Sequence, residues 1–162
     1  MYKRPDKDTY YLDIALAVSK RSTCLKRHYG CIIVKDDVIV ATGYNGSPRG
    51  ATNCCDVYEQ CPRADIPHNS GNYEGCSSVH AEQNAIIMAN RADLIGATLY
   101  LVCEEAKVEK IKFKINGEFV DLGFTSVEIV EDKSPEPCPI CKMMLKNAGV
   151  KAIKTRSGEI CL

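Results

Sequence analysis

The sequence predicts an α/β fold in which helices cover both faces of a mixed sheet, and three observations predict it. Apolar, β-branched runs recur at 30–35, 38–42, 97–103 and 150–154. Segments with helical spacing lie between them, near 8–18, 79–91 and 138–147. The closing order of strand, helix and strand implies a right-handed parallel crossover, which places helices on both faces.

Each element has a local reason. Tyr11, Ile14, Ala15 and Val18 fall at helical spacing, and Pro5 with Asp6 or Asp8 offers a start signal. The runs at 30–35 and 38–42 flank Asp36 and Asp37, a short link that suits a tight turn, and so read as a hairpin. Residues 43–76 are rich in Pro, Asn, Gly and Cys and show little periodicity, which is unusual inside a domain unless the tract is functional or clamped. In 79–91, Glu82, Ala85, Ile86 and Ala89 share one face, so a carboxylate lies on the inward stripe. Residues 97–103 read as a buried strand. The alternating runs 111–115 and 118–122 around Asn116-Gly117 read as an added hairpin, followed by a strand at 126–131. Pro137 and Gly149 bracket a helix over 138–147, and 150–154 supplies the last strand.

The chain has 162 residues, room for one domain over 1–162. Lysine plus arginine and aspartate plus glutamate number 21 each, which disfavours a basic nucleic-acid groove or a polybasic membrane anchor. No apolar run approaches the length that spans a bilayer. The N-terminal segment lacks the apolar stretch of a secretion signal, so a reducing, cytoplasmic setting is expected. Ten cysteines are then the anomaly, and in a reducing compartment they point to metal. Cys31 and Cys103 are exceptions, small hydrophobes in apolar strands, and Cys161 lies in a tail.

His80 and Glu82 open one expected helix, and Pro137, Cys138, Pro139, Ile140 and Cys141 open another. This H-x-E…P-C-x-x-C pattern is the signature of zinc deaminases. One imidazole and two thiolates supply three ligands of a tetrahedral zinc and leave the fourth position for water, the arrangement of a catalytic site. Zinc acidifies that water, and Glu82, two residues from the ligand His80, is placed to carry its proton. A C-x-x-C alone would equally suit a zinc knuckle or a redox pair, and H-x-E alone occurs by chance; their conjunction, each at a helix start, favours the deaminase.

Beyond the signature, VHAEQNAI, GATLY, EPCPIC and NAGVK resemble the zinc-dependent cytidine and deoxycytidylate deaminase superfamily. KRSTCLKR, GCIIVKDD and ATGYNGSPRGATNC resemble its deoxycytidylate (dCMP) branch. The resemblance covers nearly the whole chain. It implies a three-layer α/β/α sandwich around a five-stranded mixed sheet, hydrolytic deamination of dCMP to dUMP and ammonia, and a homo-oligomer, often a hexamer. It also implies that Asn45 and Ala81 contact the substrate, although Tyr44-Asn45-Gly46 taken alone would pass for a plain turn.

Lys26 and Arg27 are candidates for the 5′-phosphate, since a nucleotide monophosphate needs cationic donors. A solvated basic loop end explains them equally well, and Arg49 and Arg63 are further options. Arg91 is expected at the end of the His80 helix. A second, structural zinc is expected from Cys24, Cys54, Cys61 and Cys76, because the tract from 43 to 78 has little apolar material to offset its ordering. The resemblance supports Cys24 and Cys54; the other two follow from spacing. Cys55 stands as an alternative to Cys54, and His68 to either later cysteine.

The 58 residues from His80 to Cys138 exceed what a helix, a strand and short loops require, which marks an insertion near 104–135. That insertion leaves the exact cytosine nucleotide open. Two rival functions share these residues: deamination of a base within a polynucleotide, and a zinc-stabilised binding module without catalysis.

Overall fold

Asp6 ends the extended N-terminal segment and caps the first helix, its carboxylate accepting from Thr9 N at 2.8 Å. In the computed structural model, described residues are 2–67, 69–71, 73–115, 118–132 and 134–162, with backbone alone across 106–127. Helix α1 spans Lys7–Ser19. Strands β1 (Arg27–Lys35) and β2 (Val38–Tyr44) form the expected hairpin. Its turn holds Asp36 and Asp37 at φ 48° and 67°, the left-handed pair of a primed turn that aspartate tolerates without glycine.

Beyond β2 come α2 (Cys54–Val57), α3 (Ala81–Met88), α4 (Arg91–Leu94), β3 (Thr98–Ile115), β4 (Glu118–Asp132), α5 (Pro139–Ala148), β5 (Ala152–Thr155) and β6 (Gly158–Cys161). Five strands follow the unbroken order β2-β1-β3-β5-β6, and β4 pairs with β3 off that path. β3 and β5 run parallel, while the other pairs are antiparallel.

The continuous apolar runs at 31–34 and 99–102 mark strands covered on both faces. Cys31, Ile33, Leu99 and Leu101 pack with Ala81 and Ala85 of α3 and Leu145 and Ala148 of α5. Ile32, Val34, Tyr100 and Val102 point the other way, onto Tyr11, Leu12 and Ala15 of α1. Strand alternation thus sorts one run into two cores, and the three-layer arrangement follows.

Several expectations are corrected in detail. The strand at 97–103 and the hairpin arm at 111–115 are one strand, and 118–122 and 126–131 are likewise one, so the insertion prolongs the central strand. Its polar joint, read as a break, is held by ion pairs: Lys20 to Glu104 at 2.6 Å, Arg27 to Glu105 at 3.1 Å and Arg156 to Glu131 at 2.8 Å. The turn at Asn116 and Gly117 lies outside the described residues. The parallel partner of β5 is β3 rather than the strand just before α5. Proline stands at the first position of α5 as Pro139, with Cys138 as the cap, and Gly149 at φ 94° ends the helix. α3 ends at Met88, so Arg91 opens α4, where its guanidinium bonds the Asn147 carbonyl at 3.4 Å. β6 has no counterpart among the expected strands.

Candidate active site

Two helix starts meet at the end of the sheet. His80 caps α3, its N–H donating to the Gln83 side chain at 3.0 Å, and Cys138 caps α5, its sulfur accepting from Cys141 N at 3.4 Å. A two-residue bridge between Gly46 and Val79 ties the end of β2 to the residue before His80. Asn84 adds a bond to the Tyr44 carbonyl at 2.8 Å, so the sheet places the start of α3.

The His80 Nδ1 atom lies 3.5 Å from Cys138 Sγ and 3.4 Å from Cys141 Sγ. All three donor atoms fall within 4.8 Å of one another. Tetrahedral zinc, with bonds of about 2.0 to 2.3 Å, requires nitrogen–sulfur separations of about 3.5 Å, so this donor set fits the ion. Burial, reinforced by the charge of Arg63, holds the His80 imidazole below its ordinary pKa and favours the neutral, ligating form. Burial pushes the Cys141 thiol far up, as do Glu82 and Cys138 beside it. Binding a cation there displaces protons.

Glu82 is 3 % exposed. Burial raises its carboxyl, while hydrogen bonds from its own backbone and from Cys141 oppose the rise. It faces the pocket that His80 and Cys138 also line, the position a proton carrier beside the donor set requires.

The remaining expected residues divide. Ala81, fully buried, lines the pocket at the start of α3. Asn45 also lines it, but its amide is engaged: Oδ1 accepts from Ser22 Oγ at 2.7 Å and Tyr29 N at 2.8 Å, and Nδ2 donates to the Arg27 carbonyl at 2.9 Å. Lys26 directs its ammonium to the carbonyls of Arg63, Ala64 and Ile66 at 3.0, 2.9 and 2.7 Å. Arg27 pairs with Glu105. Arg49 instead reaches Met88 at an exposed position.

Cys24, Cys61 and Cys76 line the same pocket, and all three raise the Cys54 thiol electrostatically, after burial as the main cause. Cys55 is exposed beside Asp56. Among the described residues, only His80, Cys138 and Cys141 form a group of three or more donors as close as 4.8 Å. His68 lies outside the described residues.

Two pocket residues escaped sequence reasoning in their roles. The Arg63 guanidinium lies 5.3 Å from the centroid of the Tyr73 ring, which packs edge-on against His80 at 5.6 Å. A lone tyrosine in an aperiodic tract carries no signal of its own.

Residues 5–156 match the family described as the cytidine and deoxycytidylate deaminase zinc-binding region. The chain belongs to this family. It is 45% identical over 107 residues to the deoxycytidylate deaminase of Mycobacterium phage D29, covering 62% of this chain and 80% of that one. It is 41% identical over 102 residues to the deoxycytidylate deaminase of Schizosaccharomyces pombe, covering 62% of this chain but 31% of that one. The crystal structure of dCMP deaminase from cyanophage S-TIM5 in complex with dCMP and dUMP superposes with a TM-score of 0.57 at 25% identity, covering 94% of this chain and 82% of that one.

Proposed function

We propose that this chain catalyses hydrolytic deamination of dCMP to dUMP and ammonia. The observation that carries the reading is the convergence of His80, Cys138 and Cys141 at zinc-fitting distances with Glu82 buried in the same pocket. The phage D29 relative and the S-TIM5 enzyme, named for this activity and largely spanned by the chain, support the substrate.

His80, Cys138 and Cys141 would hold the ion, which supplies an acidified water as nucleophile at neutral pH. Glu82 is placed to take a proton from a water attacking C4 of the cytosine ring and to deliver it to ring nitrogen N3. The proton of the new C4 hydroxyl then passes through the same carboxyl to the exocyclic amine, and as the C4–N bond breaks ammonia leaves and C4 becomes a carbonyl. The α3 backbone at Ala81 bounds the ring, and the protein around Glu82 excludes bulk water from the transfers.

Incubation with dCMP, CMP, dCTP, cytidine and single-stranded DNA, followed by absorbance, tests the assignment. Turnover of dCMP above the others supports it. Preferred turnover of DNA would transfer the chemistry to a polynucleotide base, and no turnover in zinc-loaded protein would leave a binding module.

A second, structural zinc on Cys24, Cys54, Cys61 and Cys76 belongs to the same proposal. Its support is that Cys24, Cys61 and Cys76 line one pocket and each raises the Cys54 thiol, together with backbone N–H groups two residues on that donate to Cys24 and Cys61 sulfurs at 3.5 and 3.4 Å. Two zinc ions per chain are expected by metal analysis. One ion, lost on replacing Cys141, would remove the second site. A single domain over 1–162, a cytoplasmic homo-oligomer and a hexameric state complete the proposal, the assembly being tested by light scattering.

A further inference from the structure

Tyr73 belongs to the aperiodic stretch before α3, yet its side chain reaches the donor set from outside the signature. Its ring meets the His80 imidazole edge-on, with 5.6 Å between centroids and 67° between planes. Its hydroxyl faces the other half of the site. Burial raises that hydroxyl first, followed by Cys138, through charge and a hydrogen bond, and by Cys141. One side chain thus meets a donor from each helix start, since His80 caps α3 and Cys138 caps α5.

The tyrosine is itself held. The Arg63 guanidinium lies over its ring, 5.3 Å from the centroid, and the Tyr73 carbonyl accepts from Cys76 N at 3.2 Å. Behind Arg63, an ammonium fixes the backbone: Lys26 Nζ donates to the carbonyls of Arg63, Ala64 and Ile66 at 3.0, 2.9 and 2.7 Å, which matches its three N–H donors. That turn is further closed by Ile66 N to the Arg63 carbonyl at 3.2 Å.

A ligating imidazole needs a neighbour to set its plane, and a ligating thiolate is stabilised by a donor at its sulfur. We propose that Tyr73 is a positioning residue for the catalytic ion's ligands, its ring setting the plane of His80 and its hydroxyl donating to Cys138, and that Lys26 acts on the ion through this tyrosine. This rests on the zinc site of the deaminase reading and is independent of which nucleotide is bound. Fixing the 63–66 turn in advance removes ordering cost from ion binding.

The experiment measures retention of the catalytic ion against a chromophoric chelator, without substrate. The proteins are wild type, Tyr73→Phe, Tyr73→Leu, Lys26→Met and the double variant Tyr73→Leu with Lys26→Met. The catalytic ion is the one that Cys141→Ala lacks, and circular dichroism of the zinc-loaded proteins checks folding. Tyr73→Leu is expected to weaken retention by roughly 10- to 100-fold, the scale for residues that orient metal ligands. Tyr73→Phe restores the ring and should fall between Tyr73→Leu and wild type. In cobalt-substituted protein, Tyr73→Phe should also move the sulfur-to-metal charge-transfer band to longer wavelength, because a thiolate that loses a hydrogen bond gives up an electron more readily. Lys26→Met should weaken retention too, with the double variant no worse than Tyr73→Leu. Retention unchanged in Tyr73→Leu would overturn the positioning role, and an unmoved band in Tyr73→Phe would overturn the bond to Cys138 even if Tyr73→Leu fails to fold. Effects of Tyr73→Leu and Lys26→Met that multiply would overturn the link between the two residues. A wild type holding no ion beyond those of Cys141→Ala would instead overturn the zinc reading, and this assignment with it.

Discussion

Gly43 lies in β2 directly beneath the first turn of α3, and replacing it with alanine tests how the sheet places the active site. A β-carbon there would stand 2.1 Å from the Ala81 carbonyl oxygen, 2.6 Å from Ala85 N and 3.0 Å from Ala85 Cβ. Two of these neighbours are backbone, so no flexible side chain can swing aside, and the helix must retreat by about 1 Å to restore ordinary contact. Overpacking of this kind costs about 1–3 kcal/mol, or roughly 3–10 °C in melting temperature for a chain of this size. The retreat also carries His80 and Glu82 away from Cys138 and Cys141. A displacement of about 1 Å at reacting groups can cost on the order of 100-fold in rate. Gly30→Ala is the matched control, since its β-carbon would meet the Ala15 carbonyl at 2.3 Å and Ser19 N at 2.4 Å, on the α1 side of the sheet. Both variants should melt earlier in calorimetry, but only Gly43→Ala should lose dCMP turnover and zinc per folded molecule. If Gly43→Ala matches wild type in melting and turnover, or if Gly30→Ala loses as much turnover, the sheet does not set the site in this way.

Glu82→Gln should keep zinc and fold while turnover falls by roughly 100- to 10,000-fold, because the amide preserves shape and cannot carry the proton; near-normal turnover would refute the assignment. His80→Ala and Cys138→Ala should each lose the catalytic ion by metal analysis, since two protein ligands are too few to retain it. Asp8 is held below its ordinary pKa first by the hydrogen bond from Lys154 and also by that from Tyr100. The folded protein therefore binds fewer protons at Asp8 than the unfolded chain, and this contribution is present above about pH 4 and fades as pH falls further. In acid titrations Asp8→Asn should lose stability less steeply below that pH than wild type does; an unchanged slope would mean the pair is screened by solvent.

The convergence of the candidate site was legible because each half of it is local. His80 and Glu82 are two residues apart and Cys138 and Cys141 three apart, each pair at a helix start, and short spacing on a helix sets relative direction before any tertiary contact forms. The two cores were legible for a related reason: strand alternation sends neighbouring residues of one apolar run to opposite faces. The continuity of β3 was not. Residues 104–110 lack the apolar pattern of a strand, and their pairing is supported by cations just beyond α1, on β1 and just beyond β5, far away in sequence.

The sequence by itself thus determined the donor set and the carboxylate beside it, since residue type and local spacing decide what can bind an ion. Only the tertiary structure decided what each polar side chain does with its capacity. Lys26 could have met a phosphate, and instead sits on three carbonyls some 40 residues away. Asn45 could have pointed both amide atoms at a substrate, and instead holds the start of β1. A side chain's type records how many hydrogen bonds it can make; the partners are brought to it by the folding of distant segments, and no local pattern contains them.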